Sequence, residues 1–336
     1  MQPAALMIQM GALGDFVLSL RIAAGLRGAG FAQVASLCRA GVASWAVAPG
    51  GIDELLDIET GGFHRLFGDA GRLVAIDWPR LPRRFDATIN MLGGGPHGLC
   101  GAGLAEWTGG RVFDLDPRPR PEHGGHITAQ WLDDLSRAGL ALEARTPQVL
   151  IPDEYRRLAC ERLAALGQWG TTAPGRVGSG SPSALAPKPD ARLAVLHVGS
   201  GGAHKCWPIE NFLGLSEILR DAGWNVVAVL GPVEMETWPP ARKAALAAAL
   251  PTLSACSLTE LAGLCAEAEV YVGNDSGATH LAAAVAARAV AVFGPTSPRR
   301  WSPIGRNVRV VGPETGGDMW PSVVEVANTV NAVAAV

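Results

Sequence analysis

Residues 272–285, VGNDSGATHLAAAV, and the run that follows at 290–298, VAVFGPTSP, constrain the fold of this chain more than any other stretch. The first half reads as a buried strand over 269–273 that empties into Asn274, Asp275, Ser276 and Gly277, then an alanine-rich helix from Ala278. The second half reads as another buried strand ending in a Gly-Pro-Thr-Ser turn. Strands joined by a crossover helix run parallel, so both deliver polar residues to one carboxyl edge of a sheet, where open α/β sheets bind ligands. Ser276 and Gly277 fall where a helix exposes free N–H groups and the positive end of its dipole, which suits an anion. Asp275 is the odd residue, since a carboxylate repels phosphate. It fits better against hydroxyls or a developing cation, so the segment suits a diphosphate joined to a sugar. The competing account is that Asp275 or Ser276 only caps the helix.

The chain is longer than one hydrophobic core usually serves, at 336 residues, so two domains are expected. Hydrophobic residues make up 48 % of it, and a net charge of −3 gives no reason to expect nucleic acid as a partner. No apolar run reaches the roughly 18 residues of a membrane span, and residues 1–11 lack the basic start of a signal peptide. The expectation is a soluble, cytoplasmic protein. Six cysteines (Cys38, Cys100, Cys160, Cys206, Cys256 and Cys265) show no paired spacing, which argues for reduced thiols and against structural zinc. Basic residues are biased: 25 arginines stand against three lysines, Lys188, Lys205 and Lys243.

Strand and helix patterns alternate through both halves. In the first, strands are expected at 5–10, 34–37, 73–76, 87–92 and 112–115. Helices are expected at 15–27, 41–48, 127–139 and 154–166, the first presenting Phe16, Leu20, Ala23 and Ala24 on one face. Residues 171–190, TTAPGRVGSGSPSALAPKPD, offer almost nothing to bury and read as a flexible linker or surface loop. The pattern restarts with a strand at 193–198, a helix at 208–221 and a strand at 225–230. Helices at 242–249 and 258–266 lead into the strand–helix–strand unit above, and a last helix is expected over 322–335. The domains are accordingly expected at 1–170 and 191–320, with the 171–190 linker between them and a terminal helix at 321–336.

Three more loops at strand ends carry candidate chemistry. Gly11, Ala12, Leu13, Gly14 and Asp15 follow the first strand, where Gly11 and Gly14 let a ligand approach the backbone. The spacing is not the GxGxxG of dinucleotide folds, and Asp15 could simply open its helix, where the dipole favours negative charge. Residues 197–205, HVGSGGAHK, suit a phosphate-cradling loop, with Ser200 and Lys205 as donors. Pro208 then opens the next helix, and Trp207 can staple onto Phe212. A solvated lysine and a satisfied core His197 are the plainer alternatives. Glu234, after the strand ending at Leu230, could reach ribose hydroxyls or be a solvated helix-start acid. His280 could face the anion or pack on the sheet. No metal site is expected, at His123 and His126 or elsewhere.

These motifs resemble glycosyltransferase family 9, the ADP-heptose–lipopolysaccharide heptosyltransferases. The matching residues are GALGD at 11–15, HVGSGGAHKCWP at 197–208, GPVE at 231–234, GNDSGATHLAAA at 273–284 and FGPTSPRRW at 293–301. HITAQWLDDL at 126–135 also resembles a family helix. The resemblance is ordered over 193–305 and thin through most of 31–189. It implies an α/β GT-B fold, two Rossmann-like doubly wound parallel-sheet domains with the active site in the interdomain cleft. It implies that Asp15 is the catalytic base and Lys205 the diphosphate partner. Ser200, Ser276 and Gly277 would donate to phosphate, Asp275 would meet the sugar and His280 would flank the diphosphate. Glu234 would face ribose, with Cys256 and Leu258 near the base.

The implied activity is an inverting, metal-independent transfer without a cofactor, from a nucleotide sugar such as ADP-heptose to a lipopolysaccharide core or related glycan. A lipid-linked acceptor leaves room for peripheral association with the cytoplasmic face of the inner membrane. One departure is marked. After the strand at 87–92 the family often carries Gln-Gly and a basic residue, where this chain has Gly93, Gly94, Gly95, Pro96, His97 and Gly98. Arg80, Arg83 and Arg84 are the other candidates for positive charge near an acceptor, or a solvated run. The alternatives are use of another nucleotide sugar, a nucleotide-sugar 2-epimerase and a non-catalytic nucleotide-sugar binder. A Rossmann oxidoreductase lacks its glycine fingerprint here.

Overall fold

The computed structural model describes residues 2–60, 63, 80–92, 101–166, 192–285 and 287–335. The strand expected at 73–76, the glycine loop at 93–98 and the linker at 171–190 lie outside the described residues. The chain forms two compact units, Met1–Leu150 and Ile151–Val336.

In the first unit, β1 (Ala4–Ile8), α1 (Leu13–Gly28), β2 (Gln33–Cys38), α2 (Ala40–Ala43) and β3 (Glu54–Asp57) precede β4 (Ala87–Asn90), α3 (Gly101–Thr108), β5 (Arg111–Asp114) and α4 (Ile127–Arg137). All strands pair parallel, in the order β3-β2-β1-β4-β5. The central β1, AALMI, is buried along its whole length, as a parallel strand covered on both faces must be. Leu6 and Ile8 pack with Leu37, Phe85 and Leu104 in one core. Phe16, Leu20 and Ala23 of α1 are fully buried, and Phe16 meets the edge of Trp45 at 6.4 Å. The expected helix at 41–48 is instead α2 followed by a 3-10 turn at Ser44–Ala46.

The second unit opens with α5 (Asp153–Ala165), followed by β6 (Leu193–His197), α6 (Ile209–Asp221), β7 (Asn225–Leu230), α7 (Pro232–Thr237), α8 (Pro240–Ala249) and β8 (Thr252–Ser254). Then come α9 (Leu258–Glu267), β9 (Val270–Asn274), α10 (Gly277–Ala284), β10 (Ala289–Val292), α11 (Pro298–Trp301), β11 (Val308–Val311) and α12 (Val323–Ala334). The sheet runs β11-β10-β9-β6-β7-β8, again all parallel. Counted from β6 and read from β8, that is the doubly wound order 3-2-1-4-5-6, whose direction reverses between β6 and β9. One face is covered by α6 and α12, where Phe212, Leu215, Leu219, Val326 and Val330 meet alternate residues of β6, β7, β9 and β10.

Helix α5 falls in the second of these units. The sequence pattern puts it in the first domain, but it packs against α9 of the second unit. A Cβ on Gly263 of α9 would lie 2.0 Å from the Tyr155 carbonyl oxygen, so only glycine lets the two helices come this close. Arg156 of α5 fastens the contact by donating to the Ala266 carbonyl at 3.0 Å.

Candidate functional site

A parallel sheet puts the end of every strand on one edge, so the loops after β6, β7, β8 and β9 share the carboxyl edge of the second unit. The loops after β6 and β9 flank the point where strand order reverses, the crevice where doubly wound sheets bind ligands. They are the two loops that carry most of the expected donor residues.

Asp275 is 6 % exposed, and its carboxylate is met by Lys205 Nζ at 3.1 Å. Ser200 Oγ donates to the Asp275 carbonyl at 2.9 Å. Lys205 is therefore an ion-paired group of this edge rather than a solvated loop charge, with a side chain one-third exposed. Ser276 caps α10, its Oγ accepting from Thr279 N. The cap is Ser276 alone, which leaves Asp275 to Lys205. Gly277 is the first residue of α10, where a helix offers N–H groups to an anion. His280, one turn on, is buried with Nε2 4.0 Å from Asp275 Oδ1.

Asn274, to which the sequence alone attaches no role, is fully buried at the end of β9. Its side chain accepts from Trp207 N at 2.8 Å and donates to the Gly199 carbonyl at 3.0 Å, while its own carbonyl accepts from Thr279 Oγ1 at 2.6 Å. The available signal was an amide residue ending a buried strand opposite a glycine loop. Trp207 packs edge-on against Phe212, centroids 5.0 Å apart, as the staple at Pro208 predicts.

Glu234, at the third position of α7, is 2 % exposed, so it is a helix-start acid but not a solvated one. Its Oε2 accepts from Gly231 N at 2.8 Å. Gly199 runs against it so closely that a Cβ there would meet Glu234 Oε1 at 1.9 Å. His197 is buried beside this acid. Burial pushes its proton affinity below the ordinary imidazole value, and the neighbouring Glu234 charge opposes that shift. Beyond β8, Ala255 holds a left-handed φ of 55°, a strained conformation for a residue with a Cβ. It turns the chain into buried Cys256 and then the Ser257 cap of α9, with Leu258 the first helical residue. Burial raises the Cys256 thiol above its usual range.

In the first unit, Gly11 and Asp15 lie at the carboxyl edge after β1, and Gly14 is the second residue of α1. Asp15 Oδ2 accepts from Ala12 N at 3.0 Å, and Gly11 N donates to Gln9 Oε1 at 2.8 Å. A Cβ on Gly11 would lie 2.5 Å from Asp15 Cβ, so this turn requires glycine. Arg39, directly after β2, braces the turn by donating to the Gly11 carbonyl at 3.0 Å, a role its position after a strand could have suggested. The arginines proposed for positive charge sit elsewhere. Arg83 pairs with Glu54 at the start of β3, and Arg84 donates to the Gly109 carbonyl ahead of β5. Both are at the amino edge of the sheet, opposite Asp15, and Arg80 is exposed. His123 lies 3.3 Å from Asp133, and His126 caps α4 by accepting from Thr128 N. Among the described residues no three His, Cys, Asp or Glu are grouped as a metal site. No helix among them is long and apolar enough to cross a membrane.

Residues 169–319 match the model of glycosyltransferase family 9 (heptosyltransferase). Over that stretch the second unit is similar to a family 9 glycosyltransferase domain. Solved structures resemble the whole chain. A glycosyl transferase family 9 protein from Veillonella parvula superimposes with a TM-score of 0.69 at 17 % identity, covering 99 % of this chain and 97 % of that one. ADP-heptose lps heptosyltransferase II of E. coli gives 0.68 at 18 % identity, covering 99 % and 98 %. E. coli heptosyltransferase WaaC, solved with ADP, gives 0.62 at 18 % identity, covering 98 % and 99 %. No match was found among curated protein sequences. At these identities the structural likeness establishes the fold, and the fold is GT-B: two parallel-sheet α/β domains.

Proposed function

We propose that this chain is a family 9 glycosyltransferase that moves heptose from ADP-heptose to a hydroxyl of a lipopolysaccharide core or related glycan, inverting the anomeric centre without a metal ion. The observation that carries the donor half is the pairing of Lys205 with Asp275 beside the N-terminus of α10, at the strand-order reversal of the second sheet. A lysine and a helix start stabilise a leaving diphosphate as a metal ion would elsewhere, with Ser200 on the Asp275 carbonyl and Ser276 at the helix cap. Asp275, already holding the ammonium, is placed to meet sugar hydroxyls while Lys205 turns to phosphate. His280 flanks the pair. Glu234, Cys256 and Leu258 lie at the ends of β7 and β8, the side of this edge assigned to the nucleoside.

The acceptor hydroxyl attacks the anomeric carbon from the face opposite the diphosphate. The new C–O bond forms as the bond to diphosphate breaks, and the electron pair leaves with the nucleoside diphosphate. Asp15 of the first unit takes the hydroxyl proton. The ADP and ADP-2-deoxy-2-fluoro heptose named for structures of the related E. coli heptosyltransferase WaaC support the choice of donor. A lipid-linked acceptor would bring the enzyme to the cytoplasmic face of the inner membrane. The test is melting temperature against a panel of nucleoside diphosphates, followed by turnover of ADP-heptose with and without a lipopolysaccharide-core acceptor. ADP at ~100 times its dissociation constant should stabilise the fold by ~2.7 kcal/mol. A preference for uridine or guanosine diphosphate would overturn the donor assignment. Conversion of the donor sugar without an acceptor would replace the transferase with an epimerase.

A further inference from the structure

Besides the Ser200 hydroxyl on the Asp275 carbonyl, two kinds of contact tie the loop at 199–207 to the end of β9. Lys205 and Asp275 are joined by an ion pair that a bound diphosphate would compete with or share, because the same ammonium would also face the phosphate oxygens. Asn274 makes the other kind. Its Nδ2 donates to the Gly199 carbonyl and its Oδ1 accepts from Trp207 N, so one buried side chain holds both ends of the loop carrying Ser200 and Lys205. Nothing a ligand does requires these bonds to break.

The residue type is dictated by that double duty. A donor and an acceptor are needed a few ångströms apart on one short side chain. Leucine would strand a buried N–H and a buried carbonyl, and ionised aspartate would set a charge against the Gly199 carbonyl with no proton to give. The Thr279 hydroxyl bond to the Asn274 carbonyl fixes the backbone from which the side chain reaches. Pro208 and the Trp207–Phe212 contact then anchor the outgoing chain.

We infer that Asn274 is a positioning residue for the diphosphate site. It closes the 199–207 loop into its binding shape before any ligand arrives, so binding does not have to order nine residues. The inference rests on the reading of this edge as the diphosphate site. Its energetic role is greatest toward the phosphate part of a ligand, since Ser200 and Lys205 lie within the loop, while the nucleoside side meets the loop where Gly199 runs against Glu234.

The test is titration calorimetry of the full chain and its Asn274→Asp variant with ADP and with adenosine, at about pH 8 and about pH 5.5. At the higher pH the variant should bind ADP about tenfold or more weakly than the parent, with a much smaller loss for adenosine. Burial of this position pushes an aspartic acid carboxyl up from its ordinary range, so the lower pH increases the protonated fraction, which donates to Gly199 as asparagine does, and the parent-to-variant ratio for ADP should shrink. A ratio near one at both pH values overturns the inference, as does an equal loss for ADP and adenosine. A parent that binds adenosine but gains nothing from the diphosphate overturns the underlying site reading and the inference with it. If the variant does not fold, amide exchange of the parent decides: Trp207 N–H should be protected about a hundredfold or more without ADP. Exchange at the rate of an open loop, with protection only on adding ADP, sinks the idea.

Discussion

The carboxyl edges of the two sheets are built on opposite plans. In the second unit the loops after β6 and β9 hold each other: Asn274 grips Gly199 and Trp207, Ser200 reaches Asp275, and Lys205 pairs with Asp275. In the first unit the turn after β1 is held mostly by itself, with Gly11 on Gln9 and Ala12 on Asp15, and Arg39 as a brace from β2. A diphosphate asks for several fixed donors at once, which is what cross-tied loops supply. The proton acceptor proposed for Asp15 asks for one carboxylate held in place, and a single tight turn is enough to hold one. The comparison predicts that damage to the first edge costs rate and damage to the second costs affinity.

The largest effect should come from Asp15→Asn. Asparagine can still accept from Ala12 N, so the melting temperature and ADP binding should stay near parental values. It cannot take a proton, so turnover should fall by about two orders of magnitude or more. Parental turnover would make Asp15 a helix cap and nothing else. A joint fall of melting temperature and rate would make it a support of the fold.

Lys205→Ala should weaken ADP binding by about ten- to a hundredfold and adenosine binding hardly at all. The loss has two parts, the missing ammonium and the Asp275 charge it leaves behind. Adding Asp275→Asn to Lys205→Ala should therefore recover part of the ADP affinity, while a double variant no better than the single would mean that Asp275 does not face the diphosphate.

What could be read from the sequence follows from what each element has to bury. The central strands β1, β6 and β9 are buried on both faces, so AALMI, LAVLH and VYVGN stand out as apolar runs between polar loops. The strands that escaped, β3, β8 and β11, are sheet edges of three or four residues, paired on one side and partly exposed. ELLD, TLS and VRVV carry no periodic signal, because an edge needs none. Helix α3 escaped as well, its GAGLAEWT being short and glycine-rich. The Gly11 and Ser276 turns were legible because a tight turn and a cap are local. The Asn274 clamp was not, since it joins residues 67 and 75 positions apart. The same holds for α5, whose place depends on the absence of a Cβ at Gly263.

A smaller effect separates the second edge from the first by pH. His197 is buried with its proton affinity depressed by desolvation, while the unfolded chain takes that proton near pH 6.5. Below that pH the unfolded state binds a proton the native state excludes, so stability is full above it and is lost as pH falls toward the folded value. The slope from this one group is at most about 1.4 kcal/mol per pH unit. His197→Gln should flatten urea stability of the chain between about pH 6.5 and 5.5, whatever it does to the absolute value. An unchanged slope would assign the acid sensitivity to another group.

The smallest expected effect is none at all. If Lys205 and the start of α10 neutralise the departing diphosphate, excess chelator should leave donor turnover at its starting value, and magnesium or manganese should add nothing. The alternative is specific: Asp275, once Lys205 has turned toward phosphate, is a carboxylate beside a diphosphate, and a divalent ion could bridge the two. The Lys205→Ala variant separates these cases better than the parent. With the ammonium gone, a site able to recruit a metal should regain ADP affinity when magnesium is supplied, and one designed around the lysine should not. Activity lost to chelator and restored by magnesium in the parent would sink the metal-independent mechanism outright. Magnesium rescue confined to the variant would keep the mechanism and show that lysine and metal occupy the same electrostatic role.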